Sequence, residues 1–203
     1  MESTTHRVRV RQTREESRAR IVAATVTLLR RRSFAELTVD EVMREVGQGR
    51  TIFYRHFDDL SDLIVRASQE AIEALYDTQR ALGRARDTED SGVDIRRALE
   101  HAVDVYAQHG PLLRGVAEAA AADEQIAEGH REMRRRYDEL IEQWLRSVAG
   151  GSATGHADLA QTARALNLMN ENYLLDAFGR EPRVPVDTAV QTLTEIWDAV
   201  IHR

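Results

Sequence analysis

The chain has no cysteine among its 203 residues, which rules out disulfides, zinc-thiolate sites and cysteine nucleophiles. Lysine is absent as well, so all 28 basic residues other than histidine are arginine. Two readings of that fit: arginine recognises phosphate bidentately, or the coding sequence is rich in G and C. No apolar run approaches the roughly 20 residues a membrane span needs, so no membrane contact is expected. The opening MESTTHRVRVRQTREESRAR has no apolar core segment, so no secretory signal is expected and the cytoplasm is the expected compartment. No segment reads as a strand, and no internal repeat is found. HExxH, GxSxG and Walker-type motifs are missing, and the seven histidines lie scattered at 6, 56, 101, 109, 130, 156 and 202. The chain is therefore expected to be no enzyme, to hold no metal and to need no cofactor.

Aromatic residues are only 5% of the chain, yet GQGRTIFYRHF (47–57) gathers three of them with two arginines and a histidine. Charge is also uneven. Residues 1–57 carry 12 Arg against 7 Asp and Glu, a balance of +5; residues 58–203 carry 16 against 27, a balance of −11. A basic head on an acidic body suggests a head that seeks an anion. With 42% hydrophobic and 31% charged residues, the chain can bury a core and solvate its surface. Its length allows one domain of about 150 residues plus a small module.

Helical periodicity covers most of the chain and predicts an all-α protein of about nine helices. Residues 1–13, with RVRVR, read as a flexible Arg-rich arm. A first helix, from about Arg14 to Arg32, places Ile21, Ala24, Leu28 and Leu29 on one face. Thr38-Val39-Asp40-Glu41 is a capping box that opens a second helix ending near Val46. Gly47-Gln48-Gly49 makes a turn, and a third short helix runs from Arg50 to Arg55. Three short helices with a glycine turn between the last two spell helix-turn-helix over residues 14–58. Residues 59–203 form the remainder. Asp59 caps a fourth helix, and Gly110-Pro111 is read as the stop of a fifth, with a short sixth after it. A seventh helix (about 123–148), an eighth (156–178) and a ninth from Pro185 follow.

In the quoted stretch Gly49 stands at an N-cap, leaving the amides of Arg50, Thr51 and Ile52 open to a phosphate. Arg50 and Thr51 face bases or phosphates, Tyr54 and His56 donate to phosphate oxygens, and Phe53 and Phe57 point inward. From Ile21 to Leu63 the chain resembles the N-terminal domain of TetR-family transcriptional regulators, on LTVDEVMREVG and the FYRHF block. ALNLMNE (165–171), REPRVP (180–185) and TLTEIWDAVI (192–201) are similar to the EthR-like branch of that family. The resemblance implies a DNA-contacting set of Thr38, Gly49, Arg50, Thr51, Tyr54, Arg55 and His56. It departs from the pattern at three positions: Gly49 replaces a common Ser, Ile52 a common Thr, and Leu60 a usual Lys. Losing Ser and Lys removes two phosphate donors per subunit. RVRVR either lies in a minor groove and partly replaces them or is a tail that touches nothing.

A single short recognition helix buries too little surface for tight binding, so a two-fold homodimer on a palindromic double-stranded operator is expected. The last two helices carry apolar stripes suited to that contact; the stripes equally suit the subunit's own core. Asn167, Asn170 and Glu171 share a face of the eighth helix, and by resemblance the asparagines look into a long lipophilic pocket. Ile95, Tyr106, Met133, Tyr137, Leu140, Ile141, Leu175 and Trp197 come from helices that would surround it. Arg134–Arg136 either form a solvated face or, if Arg134 turns inward, make the pocket favour an anionic or more polar ligand. The expected function is a ligand-responsive transcriptional regulator, a repressor released by a small, mostly apolar effector. The alternative is a helical protein-interaction adaptor with a weakened DNA-binding head.

Overall fold

The computed structural model describes the backbone of residues 2–84, 91–148 and 158–201, and the side chains of 14–77, 95–147 and 158–201. The described residues form eight α-helices and one 3-10 turn, with no strand among them: α1 (Glu2–Leu29), the turn Phe34–Glu36, α2 (Val39–Val46), α3 (Arg50–Phe53), α4 (Leu60–Arg84), α5 (Ser91–Ala119), α6 (Glu124–Val148), α7 (Leu159–Gly179) and α8 (Val186–Ile201). The expected loop between Gly83 and Gly92 falls largely outside the described residues, as does the Gly150-Gly151 segment.

Two helix boundaries differ from the sequence reading. The backbone of residues 2–13 is helical and continuous with α1, where a separate arm was expected; its side chains lie outside the described set. Residues 2–29 contain neither Gly nor Pro, and arginine is a good helix former, so nothing local stops the helix before Arg14. Pro111 does not end a helix either, and the expected fifth and sixth helices are one, α5. A helical proline orphans the carbonyl four residues earlier. Here that carbonyl belongs to Ala107, and the Arg183 Nη1 donates to it at 2.8 Å.

The head is built from α1 to α3. Thr38 caps α2 with its hydroxyl accepting from the Glu41 amide, and the Glu41 carboxylate returns to the Thr38 amide. Gly47 ends α2 in the left-handed region at φ 73°, a conformation glycine adopts without steric cost. Ile21, Ala24, Val42, Met43, Val46, Phe53, Phe57 and Leu63 close around one another as the head core. The body core is larger and draws on α4 to α8, with Trp144 and Trp197 meeting edge to face at 5.8 Å between ring centroids. Between them a junction cluster joins Leu29 and Leu37 to Ile64, Leu112 and Ala119. Helix α4 therefore contributes to all three: Leu63 to the head, Ile64 to the junction, Ala71 and Leu75 to the body.

Arg114 of α5 fastens the junction. Its guanidinium donates to the carbonyls of Leu29, Arg32 (2.8 Å) and Gly179 (3.1 Å) and to the Glu118 carboxylate. Close helix crossings surround it: a Cβ on Gly110 would collide with the carbonyl of Phe178, and one on Gly115 would sit 2.8 Å from Ile64 Cδ1. Arg114→Met leaves those carbonyls and Glu118 without their cation, and a loss of about 3 kcal/mol is expected, measured by denaturant unfolding. Wild-type stability in that variant would show that the clamp carries no weight.

Candidate functional site

The turn between α2 and α3 presents a basic, hydroxyl-bearing face. Phe53 and Phe57 are buried and hold α3 to the head, their rings 5.6 Å apart. That anchoring turns Tyr54 outward, 56% exposed, along with exposed Thr51 and Arg55. Gly49 carries no side chain over the first turn of α3, so the amides of Arg50 and Thr51 have no cap. The Ile52 amide is not open as expected; it donates to the Gly49 carbonyl at 3.0 Å because α3 begins as a tight turn. Arg50 is exposed but paired, through Nε and Nη2, with the Asp40 carboxylate of α2. That pairing holds the Asp40 carboxyl below its usual range. Thr38 is exposed, and its hydroxyl is engaged with Glu41 in the cap of α2. His56 is half-buried, and its imidazole is held below its ordinary pKa of 6.5, first by burial and then by Arg14, Arg18 and Arg55.

The body contains a small cavity of about 70 Å³ lined by residues of α4 to α8. Its walls are mostly apolar: Leu75 of α4, Leu99 and Ala102 of α5, Ile141 of α6, Leu174 of α7 and Trp197 of α8. One end is polar. Glu171 is 7% exposed; its Oε1 meets His130 Nε2 at 2.7 Å and its Oε2 accepts from Arg134 Nε at 2.6 Å. Burial pushes the Glu171 carboxyl upward, but the hydrogen bonds from His130 and Arg134 outweigh it and keep the group below the ordinary carboxylate range. Beside it, Asn170 Oδ1 accepts from Trp197 Nε1 (3.2 Å), Asn167 Nδ2 donates to Asp138 Oδ1 (2.8 Å), and the Tyr137 hydroxyl donates to the Leu75 carbonyl (2.7 Å). A wider cleft of about 540 Å³ opens between α4 and α6, with Met133 on both it and the cavity. No group of three or more metal-ligating side chains occurs among the described residues, and no described helix is long and apolar enough to cross a membrane.

Two family models match separate parts of this architecture. Residues 21–67 match the bacterial regulatory proteins of the tetR family, and residues 95–202 match the C-terminal domain of the transcriptional regulator EthR. The chain belongs to the TetR family of transcriptional regulators. It is similar to the HTH-type transcriptional regulator EthR of Mycolicibacterium smegmatis, 28% identical over 90% of this chain and 85% of that one. The EthR of Mycobacterium tuberculosis is 25% identical over the same shares. Among solved structures, the TetR-family regulator PfmR of Thermus thermophilus shares the fold at a TM-score of 0.70 and 17% identity, over 90% of this chain and 97% of that one. A TetR-like regulator from Rhodococcus gives 0.68 at 19% identity, over 94% and 97%.

In this TetR-family chain the helix-turn-helix is the DNA-binding head, and the EthR-type domain is the ligand-binding body. Of the residues expected around a pocket, Ile95, Tyr106, Met133, Tyr137, Ile141, Asn167, Asn170, Glu171 and Trp197 line the cavity. Leu140 and Leu175 do not; both are half-buried and pack on the core elsewhere. Leu174 stands where Leu175 was expected, because positions 167, 170, 171 and 174 repeat at helical spacing and 175 falls a step around the helix. Arg134 lines the cavity, whereas Arg135 and Arg136 pair with Glu132 on the surface. The triplet thus divides between the two alternatives. Sequence reading missed Leu75, Ala98, Leu99 and Ala102, whose apolar character is that of any core residue.

The His56 shift gives a pH test of the head. A lowered histidine binds fewer protons folded than unfolded, so stability rises with pH through this region. The contribution is fully present above about pH 6.5 and is lost as pH falls through the depressed folded value. His56→Gln should flatten that part of a thermal-unfolding profile between pH 5.5 and 7.5 (roughly one unit either side of the ordinary histidine value).

Proposed function

We propose that the chain is a repressor that grips a palindromic operator as a two-fold dimer and lets go when a small, mostly apolar effector enters the body. The observation that carries this reading is the course of α4, which packs into the head core at Leu63 and reaches the cavity at Leu75. A cavity of about 70 Å³ holds little more than a few waters, so an effector must displace its walls. Displacing Leu75 tilts α4, and the tilt changes the spacing of two α3 helices in a dimer. A preference of about 3 kcal/mol for the wrong spacing weakens operator binding roughly a hundredfold.

The dimer contact assigned to α7 and α8 rests on what their stripes leave uncovered. Val190, Leu193 and Trp197 are buried in the subunit, while Val186 and Ile196 are 38% and 37% exposed. The DNA contacts assigned to Thr38, Gly49, Arg50, Thr51, Tyr54, Arg55 and His56 rest on their common face and on the family pattern. Arg50 reaches phosphate only by leaving Asp40. The pairing of Arg50 with Asp40 also supports the adaptor reading, alongside the missing Ser and Lys, since it neutralises the cation of α3.

Selection of bound sequences from a random duplex pool decides between the two. A palindrome is expected; an adaptor retains no duplex even at low salt. Arg50→Ala and Tyr54→Phe should each weaken retention about tenfold or less, with a shallower salt dependence for Arg50→Ala. Asp40→Asn should do the opposite, raising affinity for non-cognate DNA severalfold and steepening the log-log salt slope by about one per subunit. Unchanged binding in all three variants, by fluorescence anisotropy, would remove α3 from the interface.

A further inference from the structure

The polar end of the cavity offers hydrogen-bond donors that nothing in the protein uses. Tyr106 is 7% exposed, lines the cavity, and its hydroxyl has no partner among the described residues. Burial pushes its pKa far up, so the hydroxyl stays a donor. Arg134, whose side chain is 35% exposed, gives its Nε to Glu171, which leaves both terminal amino groups of the guanidinium without a protein partner among the described residues. The Asn170 amide is oriented by the Trp197 indole, which donates to Oδ1, so the Nδ2 donors are left over. The acceptors nearby are mostly engaged: both oxygens of Glu171 are taken, by His130 and Arg134. Asn167 Oδ1 is the acceptor that remains.

We propose that this cavity selects an effector whose apolar chain ends in a carboxylate, held by the free amino groups of Arg134, the Tyr106 hydroxyl and the Asn170 amide. The inference rests on the body being an effector site and narrows what that effector is. A guanidinium presents five N–H donors in a flat fork, so Arg134 can serve Glu171 through one edge and a ligand carboxylate through the other. Two carboxylates would then face two groups able to carry positive charge, Arg134 and His130. A primary amide head would donate to Asn167 Oδ1 but gives Arg134 no charge to meet. An ammonium head would find Asn167 Oδ1 alone as a free acceptor and would meet the like charge of Arg134, whereas the wider cleft offers it the carboxylates of Asp58, Asp59, Asp62 and Asp123. The apolar remainder of the ligand lies against Leu75, Leu99, Ile141 and Trp197.

The test is a matched series on the full-length protein: octanoate, octanamide, octanol and octylammonium, titrated at neutral pH against tryptophan fluorescence, which Trp197 in the cavity wall reports. Octanoate is expected to bind about tenfold or more tighter than the other three, because a site of unpaired donors discriminates strongly against heads that cannot fill them. Arg134→Gln should reduce that preference to about twofold, with helical circular dichroism and the thermal-unfolding transition retained as the check that the variant is folded. Tyr106→Phe should weaken octanoate alone. Equal binding of octanol or octanamide, tightest binding of octylammonium, no binding by any member, or a preference that survives Arg134→Gln would each overturn the proposal. Retention of a duplex pool by unliganded protein, measured alongside, keeps the two questions apart. Duplex binding without the head-group order sinks this inference alone. The head-group order without any duplex binding sinks the repressor reading and leaves the ligand class standing.

Discussion

The guanidinium of Arg114 is the polar fastening between the two halves of this molecule. Helix ends leave carbonyls without partners, and α1 ends where the head must meet the body. Arg114 takes the Leu29 and Arg32 carbonyls, the Glu181 amide takes the Arg30 carbonyl, and the Phe34 amide goes to Glu118, itself paired with Arg114. The same guanidinium takes the Gly179 carbonyl at the end of α7. One buried cation thus ties the C-terminal ends of two helices from different domains. The head is held to the body at that point.

Helix α4 supplies the other connection, and it is of a different kind. Its contacts with the head and junction are apolar, through Leu63 and Ile64, and non-directional packing permits small sliding. Near the cavity it is also gripped by a hydrogen bond, from the Tyr137 hydroxyl to the Leu75 carbonyl. A stiff clamp at Arg114 and a lever beside it form a mechanical pair. Volume added next to Leu75 has to appear as displacement somewhere, because close-packed interiors do not absorb it, and α4 runs from the cavity into the head core at Leu63.

Charge is managed by internal pairing at both candidate sites. In the cavity, Glu171 pairs with Arg134 and hydrogen-bonds to His130; on the face assigned to DNA, Arg50 pairs with Asp40. The first arrangement leaves guanidinium donors over and so keeps a recognition capacity inside an apolar space. The second holds an arginine in place on an exposed surface, where an ion pair is weak and a phosphate can compete for it. The body's charge balance of −11 disfavours contact with a polyanion there.

Local chemistry was enough to read the head. The capping box at Thr38 and Glu41, the αL turn at Gly47 and the aromatic block at 53–57 each depend on neighbours within a few residues, and such interactions are written along the chain. That 167, 170 and 171 share a face of α7 was legible from helical spacing; that the face meets a cavity followed from the family resemblance. What sequence could not decide was every choice made by a distant partner. Pro111 reads as a helix stop until Arg183, 76 residues away in the bond to Ala107, supplies the missing donor. Whether Arg134 joins a solvated triplet or turns inward stays open until α7 brings Glu171 against it. Periodicity assigned residues to faces; which apolar face met a cavity, which met the core and which was left outside was fixed only when the helices packed, because burial is a property of the assembled surfaces and not of any one of them.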